Sequence, residues 1–403
     1  MHRSRSPMGM HVLLLLLSIG LTGAYLVGER DDTIVRRREY LLKQYRNDPI
    51  YKNDETSITT ASSAALTTPL IYQANPRGND VVMGLAVYNN GYKMYYRFVK
   101  TLRASGFDGH IIIGVHTNVE PQVLEMFKKY EVTAYGVEIV TCNFDKNSNS
   151  STGSGGGIIR SKCSKGINLN LEMGRYEMYR QWLSHCKMCT NWVLMMDIRD
   201  SFFQLNPFES ISKIANSSPI DLMFIEELGK HTCIDPNPNR YFVAGNFRNR
   251  AKIEPCYGKD AITRYADRPV LCSGTIIANR AGANRFLSVL ISEFIQNMNS
   301  ENNNCRTTTT DQWTMNYLYY HGRFGSVNTT VTIPWGLGPV LTVGKSCITL
   351  DKKTGAEDLV PVNNDGIVNL YDDSTHGFQL APLVHQFDRC QKWISKYIDQ
   401  RIS

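Results

Sequence analysis

"NWVLMMDIRDSFFQLNPF", residues 191–208, decides how the chain is read. The apolar run from Trp192 to Met196 has the length and composition of a buried strand. It stops at Asp197, and a second carboxylate, Asp200, follows three positions on. In an open parallel sheet, ligands bind beyond the carboxyl ends of the strands, so both side chains stand at a binding edge. A tight turn or a first helical turn brings positions three apart to one side. Two carboxylates held together at neutral pH repel, and a proton, a cation or a metal must neutralise one. A divalent cation does so and also supplies charge for a diphosphate. The structural reading stands beside this one: Arg199 lies between the two acids and can pair with either, and an aspartate ending a strand often caps the next helix.

The flanking sequence alternates strand and helix. Residues 81–90 read as a buried strand ending in a polar turn. Residues 92–106 follow with Met94, Phe98 and Leu102 at helical spacing and Gly106 as a stop. Residues 110–115 are a second apolar strand, 121–130 a helix with proline in its first turn, and 132–140 a third strand. Residues 170–183 are an amphipathic helix carrying Arg175 and Tyr179, and 221–227 a fifth strand. Residues 272–298 are a strand, a turn and a long helix, and 311–320 another helix. This order predicts an α/β fold: a Rossmann-like, mostly parallel sheet with helices on both faces. Residues 229–270, rich in Pro, Asn and Arg, read as irregular. The Asn, Ser and Gly run at 143–166 reads as a flexible insertion without the phosphate-loop pattern.

The remaining features bound compartment and partners. The 403 residues, 42% hydrophobic, suffice for one large domain with accessory segments. A net charge of +7, with no dense basic face, argues against nucleic acid as a partner. Basic residues precede an uncharged stretch at 12–27, which reads as a membrane anchor with a cytosolic tip or as a cleaved signal peptide. A polar stalk at 28–79 and a folded domain at 80–403 follow. Ten cysteines, all after residue 140, and N-x-[ST] triplets at Asn149, Asn216 and Asn328 suit an oxidising lumen. Cys186 and Cys189 form a C-x-x-C whose plain reading is a structural disulfide or two separately paired cysteines, with a redox or zinc role as the alternative.

Four segments in order resemble a known family. "MMDIRDSFFQLNPF" looks like the acidic metal motif of lumenal glycosyltransferases with the GT-A nucleotide-sugar fold. "CSGTIIANRAG" is similar to their small-residue segment, "DQWTMNYLYY" to their D-Q-x-x-x-N helix, and "VHQFDR" to the late histidine of the metal site. The nearest style is that of eukaryotic transferases with a D-x-R-D-x-x-F-Q-x-x-P-F block, and more distantly of retaining enzymes of glycosyltransferase family eight. The family's usual D-x-D has its acids two apart, whereas here they are three apart.

The resemblance implies a type II, Golgi, metal-dependent glycosyltransferase moving a sugar from a nucleotide diphosphate sugar to a glycan or glycoprotein acceptor, with retention favoured. It implies Asp197, Asp200 and His385 as ligands to Mn²⁺, with Mg²⁺ second. Asp311 and Gln312 would lie at the anomeric carbon. Arg175, Tyr179, Arg199, Ser273 and Gly274 would meet the donor. The residues alone favour Tyr179 at the edge of the core with Arg175 on the surface, and leave Asp311 open to being a helix cap. Two other classes stay open: an inactive lumenal protein of the same fold that binds sugar nucleotide or glycan, and an aspartate-dependent phosphatase.

Overall fold

A computed structural model of the chain describes residues 68–87, 91–137, 171–216, 219–227, 247–264, 268–325, 329–344, 368–372 and 377–390. The chain divides into two units. One, Glu55–Leu370 with Gln379–Ser403, holds the sheet and the site; the other, Met1–Asp54 with Tyr371–Phe378, is described only at 371–372 and 377–378. The expected anchor at 1–27, most of the stalk and the insertion at 143–166 lie outside the described residues. Among the described residues, no helix is long and apolar enough to cross a membrane.

The strands are β1 (Leu70–Tyr72), β2 (Val81–Ala86), β3 (His110–His116), β4 (Val132–Val137), β5 (Trp192–Asp197), β6 (Ser201–Phe203), β7 (Leu222–Glu226), β8 (Leu271–Asn279), β9 (Thr330–Ile333), β10 (Val340–Thr342), β11 (Asn369–Asp372), β12 (Gly377–Leu380) and β13 (Leu383–His385). The helices are α1 (Tyr92–Ala104), α2 (Pro121–Lys129), α3 (Leu171–His185), α4 (Pro207–Asn216), α5 (Phe247–Arg264), α6 (Arg280–Met298), α7 (Asn303–Thr308) and α8 (Asp311–Tyr320).

Eight strands form one sheet in the order β1-β4-β3-β2-β5-β8-β7-β9. Strands β4, β3, β2 and β5 run parallel. Counted along the chain from β2 their order is third, second, first, fourth, the order of a doubly wound half-sheet. β8 runs antiparallel between β5 and β7, and β1 antiparallel on the edge against β4. The chain walks outward from β2 to β4, then returns across β2 to β5. That reversal opens a crevice at the carboxyl ends of β2 and β5, where Leu85 pairs with Asp197.

Apolar patterning explains the elements. All six residues of β4 are buried, as are five of six in β2 and β5, which is what a sheet covered on both faces requires. On one face Met94, Phe98 and Leu102 of α1 are buried, and the Phe98 ring meets Phe203 edge-on at 5.2 Å. On the other, Tyr176 of α3 meets Phe286 and Phe294 of α6, each at 5.9 Å. Each such fully buried large side chain contributes about 1.5–3 kcal/mol of transfer free energy. The turn after β5 is seated by Ile198, which occupies the space above Gly84; a Cβ there would lie 2.3 Å from Ile198 Cγ1.

A second sheet has the order β10-β13-β6. β6 begins at the residue after Asp200 and pairs antiparallel with β13. In 229–270 the structure departs from the expected irregular path. It holds α5, in which Pro255 and the bend at Gly258 interrupt the periodicity that would mark a helix. Disulfides join Cys186 to Cys189 and Cys256 to Cys305, and Cys272 is a buried free thiol.

Candidate active site

A cavity of about 430 Å³ opens at the carboxyl ends of β2 and β5. Its lining includes Arg175, Asp197, Arg199, Asp200, Ser273, Gly274, Asp311 and Gln312. Five carboxylates, Glu172, Asp197, Asp200, Glu227 and Asp311, face it against two guanidiniums, Arg175 and Arg199. Such an excess of negative charge attracts cations.

Asp197 ends β5, and its side chain is partly exposed, at 39%. Asp200 is buried, and its Oδ2 accepts from Arg199 Nη2 at 3.3 Å. Arg199 also reaches Asp388 at 3.6 Å, so it braces the turn from its exposed side. His385 is fully buried on β13, directly opposite Ser201 of β6. Ligand atoms of Asp197, Asp200 and His385 lie within 4.8 Å of one another.

The imidazole orientation follows from its neighbours. Ser201 Oγ donates to the Asp197 carbonyl at 2.7 Å, so it accepts from His385 Nδ1 at 3.0 Å. The ring's lone pair is then on Nε2. A Cβ built on Gly274 would lie 2.6 Å from that Nε2 and 2.6 Å from Asp197 Oδ2. The space between carboxylate and imidazole is therefore bounded by a residue without a side chain. Two carboxylates and one neutral imidazole around such a gap form a donor set suited to a divalent cation.

Arg175 ties the two halves of the cavity together. Its Nη1 donates to Asp197 Oδ1, and its Nη2 to Asp311 Oδ2 at 2.5 Å and to the Ser273 carbonyl at 3.0 Å. Burial raises the Asp197 carboxyl, but the Arg175 guanidinium, with Arg199 adding to it, holds the group below the usual carboxylate range. Burial likewise works against charge on Arg175; Tyr176, Asp197 and Asp311 reverse this and push it well above the ordinary guanidinium value.

Asp311 is the first residue of α8, after the N-cap Thr310, and its Oδ1 accepts from the Gln312 amide at 2.6 Å. It thus serves the helix start and Arg175 at once. Gln312 Nε2 donates to Glu227 Oε1 at 2.9 Å. Tyr179 does not reach the cavity. It lies one turn deeper on α3, 1% exposed, with its ring against Tyr176 and Trp182.

Several participants lie beyond the site residues the resemblance names. Ser201 has no signal other than adjacency to Asp200. Asn316, the last residue of the D-Q-x-x-x-N pattern, is fully buried. It accepts from the Leu271 amide at 2.8 Å and donates to the Leu271 carbonyl at 2.9 Å, fixing the start of β8. Gln386, beside His385, lines the cavity at φ 58°, a left-handed conformation that costs on the order of 1–3 kcal/mol and gathers at functional sites. Glu172 and Trp313 also face the cavity.

No family model and no curated protein matches the chain. Among solved structures, the apo form of mouse xyloside xylosyltransferase 1 is similar at 10% identity and a TM-score of 0.36, over 77% of this chain and 98% of that one. An overlap this loose decides neither fold nor activity, and the site rests on its own geometry.

Proposed function

We propose that the chain is a metal-dependent glycosyltransferase of the GT-A type, moving a sugar from a nucleotide diphosphate sugar to a glycan or glycoprotein acceptor. The observation that carries this reading is the gap bounded by Gly274, where an added Cβ would lie 2.6 Å from both Asp197 Oδ2 and His385 Nε2, at the point where the strand order reverses. Asp197, Asp200 and His385 would hold the cation. Two oxygen ligands and an imidazole suit Mn²⁺, with Mg²⁺ second. Once bound, the cation supplies positive charge to a leaving diphosphate.

The chain's own residues do the rest. Arg175 holds the Asp197 and Asp311 side chains in place. Asp311 stands where a carboxylate steadies positive charge developing at an anomeric carbon. The small side chains of Ser273 and Gly274 let the backbone of β8 approach a sugar closely. Arg199, exposed at the rim, is placed to meet diphosphate. A donor sugar met by Asp311 and Gln312 favours retention. The basic tip and apolar stretch at the N-terminus, with the cysteine content, support a lumenal catalytic unit, and the short anchor with the family resemblance supports a Golgi membrane.

The purified chain, offered a panel of uridine and guanosine diphosphate sugars with and without Mn²⁺, tests the reading. Slow Mn²⁺-dependent release of nucleoside diphosphate from one donor, lost in Asp197→Asn and His385→Ala, is the expected result. No Mn²⁺-dependent binding of any member of the panel would overturn it.

A further inference from the structure

Four of the five cavity carboxylates are engaged: Asp197 and Asp311 by Arg175, Asp200 by Arg199 and Glu227 by Gln312. Glu172 is the exception. It lies three residues before Arg175 on α3, on the same helical side, and is exposed at the cavity wall. Among the described residues it forms neither an ion pair nor a hydrogen bond. Trp313 lies two residues after Asp311 and is half-buried in the same wall. Among the described residues its indole has no ring partner and its Nε1 no acceptor. Indoles at cavity walls normally find both.

We propose that Glu172 and Trp313 form the subsite for the acceptor, and that the acceptor end seated there is an uncharged sugar ring. The inference rests on the transferase reading and names its second substrate. A sugar presents a face of C–H groups and a rim of hydroxyls. The electron-rich face of an indole attracts the former. An ionised carboxylate accepts from the latter, in bonds about twice as strong as neutral ones.

The position separates this subsite from the donor's. The Arg175 guanidinium spans from Asp197, at the place proposed for the cation, to Asp311. Glu172 and Trp313 flank Asp311. Asp311 and Asp197 are close enough to Glu172 to repel its charge, while Arg175 and Lys252 attract it. The Arg175 guanidinium is already taken by Asp197 and Asp311, so a diphosphate seated between Glu172 and Trp313 would meet carboxylates before a free cation, and so would a uronate or sulfated sugar. A neutral hydroxyl-bearing ring meets none of that repulsion and supplies the hydrogen bonds Glu172 lacks.

The test uses the full chain with Mn²⁺ and a nucleoside diphosphate, UDP and GDP in parallel. Alkyl glucoside, galactoside, xyloside and mannoside are titrated beside an alkyl glucuronide, with saturation-transfer NMR as the readout. At least one neutral glycoside binds and the glucuronide does not. Trp313→Ala weakens that glycoside about tenfold, about 1.4 kcal/mol, while Trp313→Phe stays within about threefold. Glu172→Gln, nearly isosteric, weakens it by a similar factor and lets the glucuronide bind. Glycoside affinity unchanged in both Trp313→Ala and Glu172→Gln, or no neutral glycoside binding at all, overturns the subsite while leaving nucleotide binding intact. No Mn²⁺-dependent nucleotide binding before any glycoside is added overturns the transferase reading, and this inference with it.

Discussion

Ser201 and His385, 184 residues apart, face each other across the antiparallel pair β6–β13, with the hydroxyl 3.0 Å from Nδ1. This pairing brings a late histidine to an early acid pair. Strand β6 starts at once after Asp200, so its register against β13 sets the imidazole over the turn. The hydroxyl also holds the Asp197 carbonyl at 2.7 Å, and so fixes both the ring and the loop. Ser201→Ala should weaken Mn²⁺ binding by about 10–100-fold with little change in fold, the range for loss of a partner that orients a ligand. Isothermal titration with Mn²⁺ measures it. An unchanged affinity would mean that something other than the hydroxyl sets the tautomer.

Arg175 is 12% exposed at its side chain and bridges Asp197 to Asp311, which is 11% exposed. Replacing it by Met strands a buried carboxylate. The expected destabilisation is about 3 kcal/mol from the Asp311 side; the partly exposed Asp197 adds little, since solvent screens it. Lys cannot fork to both acids and should recover less than half. The pH dependence has a definite sign. Asp197 has a lowered folded pKa, so its contribution is present above the unfolded value of about 3.9 and is lost as pH falls through the folded one. With Arg175 gone, the largest influence lowering the Asp197 carboxyl is lost and the acid loss begins at higher pH. Urea unfolding between about pH 3 and about pH 7 checks both the size and the sign.

The strand before Asp197, the alternation from residue 81 and the acid pair were legible because each is a local pattern. The apolar run of β5 needs no partner to be recognised. The arrival of His385 was not derivable from spacing, since strand pairing over 184 residues leaves no periodic trace; only a motif resemblance pointed to it. Arg175 could be placed on a helix, but its partners come from β5 and α8. The helix periodicity that put Tyr179 on the same side as Arg175 did not resolve depth, and one further turn places it against Trp182. In α5, Pro255 and Gly258 argued locally against a helix that tertiary packing sustains, with Cys256 tied to Cys305. Gly274 read as permitting close approach, and the structure adds which two side chains approach it.

Asn316 shows that a motif residue can act through the backbone. Its amide satisfies both the N–H and the C=O of Leu271 and also donates to the Gln312 carbonyl at 2.7 Å. Asn316→Leu leaves the Leu271 groups without these partners in a fully buried place. The expected cost is about 2–4 kcal/mol, from one or two unsatisfied groups. Because β8 carries Ser273 and Gly274, donor affinity should fall together with stability. Asn316→Asp keeps the acceptor for the Leu271 amide and should fall between the two. Thermal melts and donor titration on the same samples give the comparison; a stable Asn316→Leu chain would remove the bracing role.

Gly274→Ala is the most direct probe of the gap itself. The added methyl would sit 2.6 Å from Asp197 Oδ2, 2.6 Å from His385 Nε2 and 3.0 Å from its Cε1. Flexible side chains could move aside, but these two are held. His385 is fully buried and pinned by Ser201, and Asp197 is gripped by Arg175. The methyl therefore occupies the place proposed for the cation and pushes the two ligands apart. Overpacking of this kind costs about 1–3 kcal/mol of stability, which a chain of this size tolerates. Mn²⁺ affinity should fall at least about a hundredfold, about 2.7 kcal/mol. The urea m-value should stay unchanged, because the folded chain keeps its buried surface. Electron paramagnetic resonance of free Mn²⁺ reads the affinity without relying on catalysis. Wild-type Mn²⁺ binding in a correctly folded Gly274→Ala chain would mean that the cation, if one binds, sits elsewhere than between Asp197 and His385.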